Sequence, residues 1–266
     1  MTSGVFQGSV LGPLIFLLYI NDLPEVLNCE KTSIRLLADD AILYRPINTL
    51  ADCQLLQNQL CRVTTWAEEW QLVFNINKCT ATSMSPAHTQ FTYSSGNTAL
   101  ASTETFTYLG VLVHSSLSYK EHINYTSRKA SRILFAIMRA LKGASQQAKR
   151  TAFLVFLPLL EYASEIWNPH LWYLVQDLEL INRKAFRWAC RFGKYEHISS
   201  AMEEFNWPTL GDRSKLKDCH TLEKILAHDF EVNYKLFTHN TRRANIRHTI
   251  NTDAMQHSFF NRAMEL

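Results

Sequence analysis

The amino-acid sequence predicts an α+β fold, in which a mixed unit of helices and strands precedes a helical region. An acidic pair, Asp39 and Asp40, interrupts an apolar stretch at residues 34–44 whose composition is typical of two short strands. Further short segments of β-type residues follow this stretch. From about residue 119 onward, apolar residues instead recur at helical spacing. The change of period divides the chain near residue 114.

The composition favours a packed core. Of the 266 residues, 47% are hydrophobic and 12% aromatic, and the low counts of 8 glycines and 7 prolines argue against disorder. The longest apolar runs are interrupted and fall short of the about 20 residues that a membrane helix needs, so we expect no membrane partner. The 6 cysteines form no C-x-x-C pair and no secretory signal is present. This predicts buried free thiols in an intracellular protein that is not secreted.

The first region is predicted to run in the order helix, acidic hairpin, helix and further strands. A loop rich in Gly and Ser leads into a helix at residues 10–27, and the hairpin follows at residues 33–44. Asn48-Thr49 offers an N-cap for a helix that ends near residue 69. The further strands are expected at residues 72–77, 79–83, 91–93, 98–100 and 106–113, with a turn at 94–97.

The second region is predicted to be helical. Helices are expected at residues 119–142, 145–163 and 170–192, with breaks at Gly143 and at Asn168-Pro169. A looser helical region at 195–236 contains the Trp207-Pro208 interruption, and an irregular basic tail follows it. The predicted domains are therefore residues 1–114, 115–192 and 193–266.

The charge is distributed unevenly along the chain. Residues 1–119 contain 5 Lys and Arg against 9 Asp and Glu, whereas residues 120–192 contain 12 against 5. A charge run is usually a solvated helix face, but this excess favours a polyanionic partner such as nucleic acid. The basic side chains whose spacing is compatible with one broad helical face are Arg128, Lys129, Arg132, Arg139 and Lys142. Such a face suits contact with a nucleic-acid backbone without reading of its sequence.

The acidic pair is the principal candidate for chemistry. Adjacent carboxylates at the tip of a hairpin repel each other and are stabilised by a hard cation, for which Mg²⁺ is the natural candidate. The alternative is a polar turn between two strands, which is what most Asp-Asp pairs are. Considered alone, Asp39 and Asp40 leave both readings open.

Several motifs, taken in order, resemble the reverse transcriptases of non-LTR, LINE- or jockey-type retrotransposons. The motifs GVFQGSVLGPL (residues 4–14), YINDLP (19–24) and ADD (38–40) carry the resemblance. The order and spacing of LVFNINKC (72–79), YLGV (108–111) and RKAFRW (183–188) agree with it. The specific motifs cover about residues 3–113, and weaker similarity continues to about residue 262.

The resemblance implies the fold and the activity. It implies the C-terminal part of a polymerase palm, followed by an α-helical thumb and a helical C-terminal region. The implied activity is that of an RNA-directed DNA polymerase, a nucleotidyltransferase whose two Mg²⁺ ions hold the attacking and leaving oxygens. The implied partners are an RNA template, a DNA primer or duplex and a dNTP, within a ribonucleoprotein of the cytoplasm or nucleus.

The resemblance also implies roles for single residues. Asp39 would be a metal ligand, and Asp40 a second ligand or a nearby support. Gln7, Gly8 and Ser9 would contact the nucleotide; their alternative is a simple Gly-rich helix start. Lys78 would be the general acid for the leaving pyrophosphate, or else a solvated loop lysine. Tyr108, Leu109 and Gly110 would form the primer grip, with Tyr108 as a plain core residue in the alternative.

The chain departs from the family in three ways. Phe6 stands where the family has Pro, and Leu37 stands where it usually has an aromatic residue. The family also places another metal-binding aspartate upstream, and no residue between Met1 and Gly8 is acidic. We therefore expect an N-terminally truncated fragment that is inactive alone and has an incomplete two-ion site. Its further partner would be the upstream part of the same polyprotein. The alternatives are a nucleic-acid-binding remnant and a non-functional truncated reading frame.

Overall fold

The computed structural model describes residues 8–27, 29–84 and 91–227. It combines helices with short strands, in agreement with the predicted α+β class. The chain divides into two compact units between Phe106 and Thr107. Over the described ranges, none of the helices is both long enough and apolar enough to cross a bilayer.

The first unit is built around one hairpin and one long helix. Helix α1 (Gly12–Tyr19) is followed by a 3₁₀ turn (Leu23–Val26), by the antiparallel strands β1 (Ser33–Leu37) and β2 (Asp40–Tyr44), and by helix α2 (Leu50–Glu69). A second 3₁₀ turn (Ile76–Lys78) precedes the two-residue strands β3 (Thr80–Ala81), β4 (Ser94–Ser95), β5 (Thr98–Ala99) and β6 (Ala101–Ser102). The core of the unit comprises Ile20, Leu23, Ile34, Val63, Trp66 and Ala67.

Helix α1 is shorter than the predicted helix at residues 10–27. The helical hydrogen-bond pattern ends at Ile20, whose N–H bonds the carbonyl of Phe16. The N–H of Leu23 instead bonds the carbonyl of Ile20, only three residues back. Pro24 then has no N–H with which to continue a helix. The prediction was wrong at its C-terminal half because turn chemistry overrides the apolar pattern there.

Helix α2 confirms its predicted extent and N-cap. The Thr49 hydroxyl accepts a hydrogen bond from the N–H of Asp52, and the Asp52 carboxylate accepts one from the N–H of Thr49 at 3.0 Å. These reciprocal bonds form a capping box, which satisfies two otherwise orphaned donors. The same carboxylate accepts a hydrogen bond from the Arg45 guanidinium at 3.0 Å. Arg45 thereby ties the end of the hairpin to the start of α2.

We expect the first unit to lose stability as the pH falls from about 4 toward about 2. The Arg45 guanidinium and the backbone N–H of Asn48 lower the pKa of Asp52 from its ordinary 3.8 to about 2. Because this pKa is lower in the folded state, the ionised carboxylate stabilises the fold above the ordinary value, and this contribution is lost as the pH falls through the folded value. Hydrogen exchange of the α2 amides would measure the loss. Asp52→Asn should reduce this dependence of stability on pH, whereas Glu68→Gln, at the exposed far end of α2, should not. Equal pH profiles for the parent chain and both variants would contradict the prediction.

The strand predictions for residues 72–113 are partly wrong. Residues 72–77 alternate between half-buried Leu72 and Phe74 and exposed Val73, but no described strand pairs with them. The predicted hairpin around residues 94–97 is confirmed with a tighter turn, because β4 and β5 flank only Gly96 and Asn97. The predicted strand at 106–113 is two strands, β7 (Thr105–Tyr108) and β8 (Val111–His114).

The second unit is a helical assembly that follows the β7–β8 pair. Its helices are α3 (Lys120–Ala140), α4 (Gln146–Phe156), α5 (Pro158–Glu161), α6 (Ser164–Trp167), α7 (Trp172–Cys190), α8 (Ser199–Glu204) and α9 (Leu210–Leu226). Helices α3 and α7 confirm their predictions, and the Trp207-Pro208 break separates α8 from α9. The predicted helix at 145–163 is instead divided, because Pro158 starts a new helix and Ala163 has a positive φ of 53°. The predicted helix beyond residue 227 and the basic tail lie outside the described residues.

Helix α7 lies at the centre of this unit's core. Phe186 is fully buried, and its ring centroid lies 5.2 Å from that of Trp207. The Trp207 indole donates a hydrogen bond to the Asn182 side chain at 2.8 Å, and Glu179 accepts one from the N–H of Leu210 at 3.0 Å. Burial raises the pKa of Glu179 above its ordinary value. These polar contacts connect α7 to the start of α9.

The cysteines are free, as predicted, but they are less buried than predicted. Cys53 and Cys190 are buried, whereas Cys61 is exposed and Cys29, Cys79 and Cys219 are half-buried. Burial raises the pKa of the Cys190 thiol.

Candidate functional site

The acidic pair lies at the tip of the β1–β2 hairpin. In the strand register, Leu37 is opposite Asp40, so that the connecting loop consists of Ala38 and Asp39. Asp39 is therefore the second loop residue, and Asp40 begins β2. A two-residue loop of this kind fixes the register of both strands, which places the two carboxyl groups at one end of the hairpin.

The backbone of the tip is strained at Ala38. Its φ is 51°, in the left-handed region that residues with a Cβ seldom adopt. Glycine would adopt this conformation without the steric cost. A two-residue hairpin loop requires a positive φ at its first position, so the tight turn imposes this conformation on the residue that directly precedes Asp39.

One face of the hairpin holds the tip in place. Ile34 and Leu43 are paired across the strands, and both pack in the core of the first unit. Leu37 and Asp40, which are also paired, lie on the opposite face because side chains alternate along a strand. Leu37 is 54% exposed, and both aspartates are exposed. The apolar residues that flank the pair in sequence thus anchor the hairpin on one side and leave the carboxylates open to solvent.

The donor set suits a hard cation only in part. Among the described residues, no side-chain hydrogen bond or ion pair involves Asp39 or Asp40, and no group of three or more His, Cys, Asp or Glu side chains is arranged to hold a metal ion. Mg²⁺ is commonly bound by one or two carboxylates together with substrate phosphates. The two aspartates fit that minimal arrangement, in which substrate would supply further ligands.

The predicted nucleotide loop is described from Gly8 onward, and Gln7 lies outside the described residues. Gly8 has a φ of 82°, and a Cβ added there would contact none of the described residues within 4 Å. The backbone conformation, and not close packing, is therefore what requires glycine. The Ser9 hydroxyl accepts a hydrogen bond from the N–H of Gly12 at 3.1 Å, at the start of α1. In this loop the glycine adopts the positive φ, and the serine hydroxyl satisfies a backbone N–H at the start of α1.

Lys78 ends the 3₁₀ turn that precedes β3. Its side chain is exposed, and its N–H donates to the carbonyl of Asn75 at 2.9 Å. The turn fixes the backbone, and the side chain remains available to a ligand or to solvent.

The predicted primer grip forms the turn between β7 and β8. Leu109 and Gly110 have φ values of 48° and 80°, the combination that a type I′ hairpin turn requires. Tyr108 is half-buried at the end of β7. The Tyr162 hydroxyl donates a hydrogen bond to the carbonyl of Leu109 at 2.7 Å. The turn is thus held from outside by a residue that the sequence did not single out.

A second unpredicted residue, His122, holds strand β8. Its Nδ1 accepts a hydrogen bond from the N–H of Leu112 at 3.1 Å, so the imidazole is neutral at this nitrogen. Burial lowers the pKa of His122, which favours the neutral ring. Tyr162 is 53 positions from Leu109 in the chain, so no local motif could have paired them.

The predicted basic residues lie on the outer surface of α3. Arg128, Arg132 and Arg139 are exposed, and at 3.6 residues per turn they lie within about 40° of one another over about 16 Å of helix. Lys129 is exposed at the edge of this face, where its ammonium lies 5.9 Å from the Tyr125 ring centroid. Lys142 lies beyond the end of α3 at Ala140, so it does not share the face. The acidic tip belongs to the first unit and the basic face to the second.

One part of the chain matches a known family, and it contains the hairpin tip, the predicted nucleotide loop and the turn at Leu109 and Gly110. Residues 1–113 match the family described as reverse transcriptase (RNA-dependent DNA polymerase). The resemblance predicted from the motifs is confirmed by this match and by the similar curated proteins.

The similar curated proteins come from mobile elements of fruit flies. The RNA-directed DNA polymerase from mobile element jockey of Drosophila melanogaster is 23% identical over 256 residues, covering 90% of this chain and 27% of the relative. The probable RNA-directed DNA polymerase from transposon BS of the same species is 27% identical over 183 residues, covering 63% of the chain and 20% of the relative. The jockey polymerase of Drosophila funebris is 31% identical over 128 residues, covering 46% and 14%.

The chain therefore spans about a quarter or less of the length of these relatives. No solved structure matches the chain.

Proposed function

We propose that this chain contributes the acidic hairpin and a nucleic-acid-binding helical region to an RNA-directed DNA polymerase of a non-LTR retrotransposon. The observation that carries the proposal is the position of Asp39 and Asp40 at an exposed, strained hairpin tip within the residues that match the family. A polar turn would account for the positive φ at Ala38, because a two-residue hairpin loop requires it, but it would not account for the family match.

The roles of the residues are those that the resemblance to the family implies, and the chemistry of the side chains supports them. Asp39 and Asp40 would hold Mg²⁺, which when bound neutralises charge on the reacting phosphoryl group. Gln7, Gly8 and Ser9 would meet the incoming nucleotide, and Lys78 would give a proton to the departing pyrophosphate. Tyr108, Leu109 and Gly110 would hold the primer terminus. A two-ion arrangement would require donors beyond the two aspartates.

The proposed partners are an RNA template, a DNA primer and a further part of a longer polypeptide, within an intracellular ribonucleoprotein. Helix α1 supports the polypeptide partner, because Leu14, Leu17 and Leu18 are 56%, 49% and 78% exposed. A run of exposed leucines on one helix is typical of a surface that another segment covers. The matched relatives have most of their length outside the aligned part.

Nucleic-acid binding without catalysis is the second candidate function. The exposed arginine face of α3 favours it, because a sequence-independent grip on a duplex needs only positive side chains along its backbone.

The metal site can be tested on the chain itself. We expect Mn²⁺ to broaden the amide resonances of residues 37–42 with an affinity in about the millimolar range, since two carboxylates without phosphate bind a divalent ion weakly. Mg²⁺ should compete. The combined change Asp39→Asn and Asp40→Asn should remove the broadening.

The chain offers a matched control, because Glu68 and Glu69 form another adjacent and exposed acidic pair. The combined change Glu68→Gln and Glu69→Gln should leave the broadening at the hairpin intact. Equal broadening around both acidic pairs, or broadening at the hairpin that survives the Asn substitutions, would show that the tip is an ordinary polar turn.

A further inference from the structure

The turn between β7 and β8 is fixed by a side chain from the loop between α5 and α6. The Tyr162 hydroxyl donates to the Leu109 carbonyl at 2.7 Å. The ring of Tyr162 lies against the same turn, because a Cβ added to Gly110 would stand 3.5 Å from its Cε1. Leu109 carries a side chain at a φ of 48°, where residues other than glycine are disfavoured. The turn therefore depends on outside contacts to stay in this conformation.

Tyr162 is itself held by buried neighbours. The Trp167 indole donates to the carbonyl of Tyr162 at 2.7 Å, and Trp167 is 2% exposed. The Trp167 ring meets the His122 ring edge-on with centroids 5.2 Å apart. The buried His122 in turn accepts from the N–H of Leu112, in the strand that leaves the turn. The contacts run from the turn through three side chains and back to the same hairpin.

We propose that Tyr162 is a positioning residue, which holds the Leu109–Gly110 turn in the conformation that receives the 3′ end of a primer. This inference rests on the proposed function, because it presupposes that the turn meets a primer terminus. The Leu109 carbonyl has its oxygen committed to Tyr162, so the orientation of the peptide between Leu109 and Gly110 is set by that bond. Without the hydroxyl, the strained turn would sample other conformations, and a primer end would have to order it on binding.

Under this proposal, the Leu109–Gly110 turn contacts the end of a duplex, and different residues contact its backbone. The exposed arginines of α3 would contact the phosphate backbone of a duplex whether or not the duplex has a free end. Among the described residues, this arginine face shares no hydrogen bond with the Tyr162 contacts. Loss of the Tyr162 hydroxyl should weaken recognition of a primer terminus and leave duplex affinity unchanged. A merely structural tie would lower both affinities or neither.

The test compares two nucleic-acid probes on the 266-residue chain. One is an RNA–DNA hybrid with a free, recessed DNA 3′ end that carries a fluorescent base analogue. The other has the same duplex, with both ends closed by loops. Tyr162→Phe should lower the affinity for the open end by about 2–10-fold, because the loss cannot exceed the contribution of one hydrogen bond. Affinity for the closed duplex should stay within about twofold.

Two further variants sharpen the result. Tyr173→Phe removes a hydroxyl from a comparably exposed tyrosine, 46% exposed, and should change neither affinity. Gly110→Ala strains the turn directly, because Gly110 has a φ of 80°, and should reproduce the end-selective loss even if the effect of Tyr162→Phe is small.

The outcomes separate this inference from the proposed function. A parent chain that prefers the open end, combined with a Tyr162→Phe variant that binds it equally well or loses both affinities alike, overturns the role of Tyr162 alone. A parent chain that shows no preference for the open end overturns the primer-grip assignment, and the positioning role with it.

Discussion

Reversal of the three exposed arginines of α3 should lower the affinity of the chain for an RNA–DNA duplex by about 10²–10³-fold at low salt. Each lysine or arginine that neutralises a phosphate releases counterions, and the logarithm of the binding constant then falls with the logarithm of salt by about 0.9 for each contact. Removing three contacts should reduce that slope by about 3. Arg128→Glu, Arg132→Glu and Arg139→Glu in one chain would produce this change.

The geometry explains why these three residues should act together. They are exposed on one side of α3, spread along about three turns, while the opposite side of the helix buries Ile123, Ala130 and Leu134 in the core. The helix is therefore fixed, and its outer face presents the guanidinium groups as a row. Lys129 and Lys142 lie outside that row, so their reversal should have a smaller effect.

The control is a second triple variant that makes the same total change of charge at residues outside α3. Lys194, Lys215 and Lys224 are exposed, and they lie outside α3. Their combined change to Glu should weaken binding only through the general field, with little change in the salt slope. Fluorescence anisotropy with a labelled duplex, repeated over a series of salt concentrations, gives both quantities. Equal losses for the two triple variants would contradict a binding face on α3.

The long helices could be predicted because their sequence patterns agree at several levels. In α2, the apolar period, the capping residues Thr49 and Asp52 and the absence of Pro and Gly all indicate the same helix. The shorter elements were misjudged where one residue decides the backbone. Pro158 divides a predicted helix, and the turn at Leu109 and Gly110 divides a predicted strand. A window of apolar residues does not reveal such single-residue events.

The candidate site, too, could be predicted from the sequence only in part. The acidic tip follows from the apolar segments on either side, because only a tight turn lets both pack on one core. Residues 72–77 show the limit of this reasoning. Leu72 and Phe74 pack against the core of the first unit, but the residues that predict a strand there cannot supply a partner strand for it. Tyr162 and His122 were missed because their importance arises from contacts between distant parts of the chain. Such contacts leave no signal in one sequence.

Replacement of Asp39 by Asn should have the largest effect on catalysis in a polymerase that contains this chain. Asn keeps the size and the turn propensity of Asp but loses the negative charge and one anionic metal-binding oxygen. A catalytic metal contributes several kcal/mol to the stability of the transition state, which corresponds to about 10²–10³-fold in rate or more. Because Asp39 is exposed and its side chain makes no hydrogen bond among the described residues, the fold should be unaffected.

The most direct measurement is RNA-templated dNTP incorporation by a jockey polymerase in which this chain replaces the aligned segment. The proposed function predicts Mg²⁺-dependent incorporation that falls by about 10²–10³-fold or more with Asp39→Asn. The combined change Glu68→Gln and Glu69→Gln, at another exposed acidic pair, should leave the rate unchanged. A correctly folded chimera that incorporates nucleotides equally well with Asn at position 39 would contradict the assignment of the hairpin tip as the catalytic metal site.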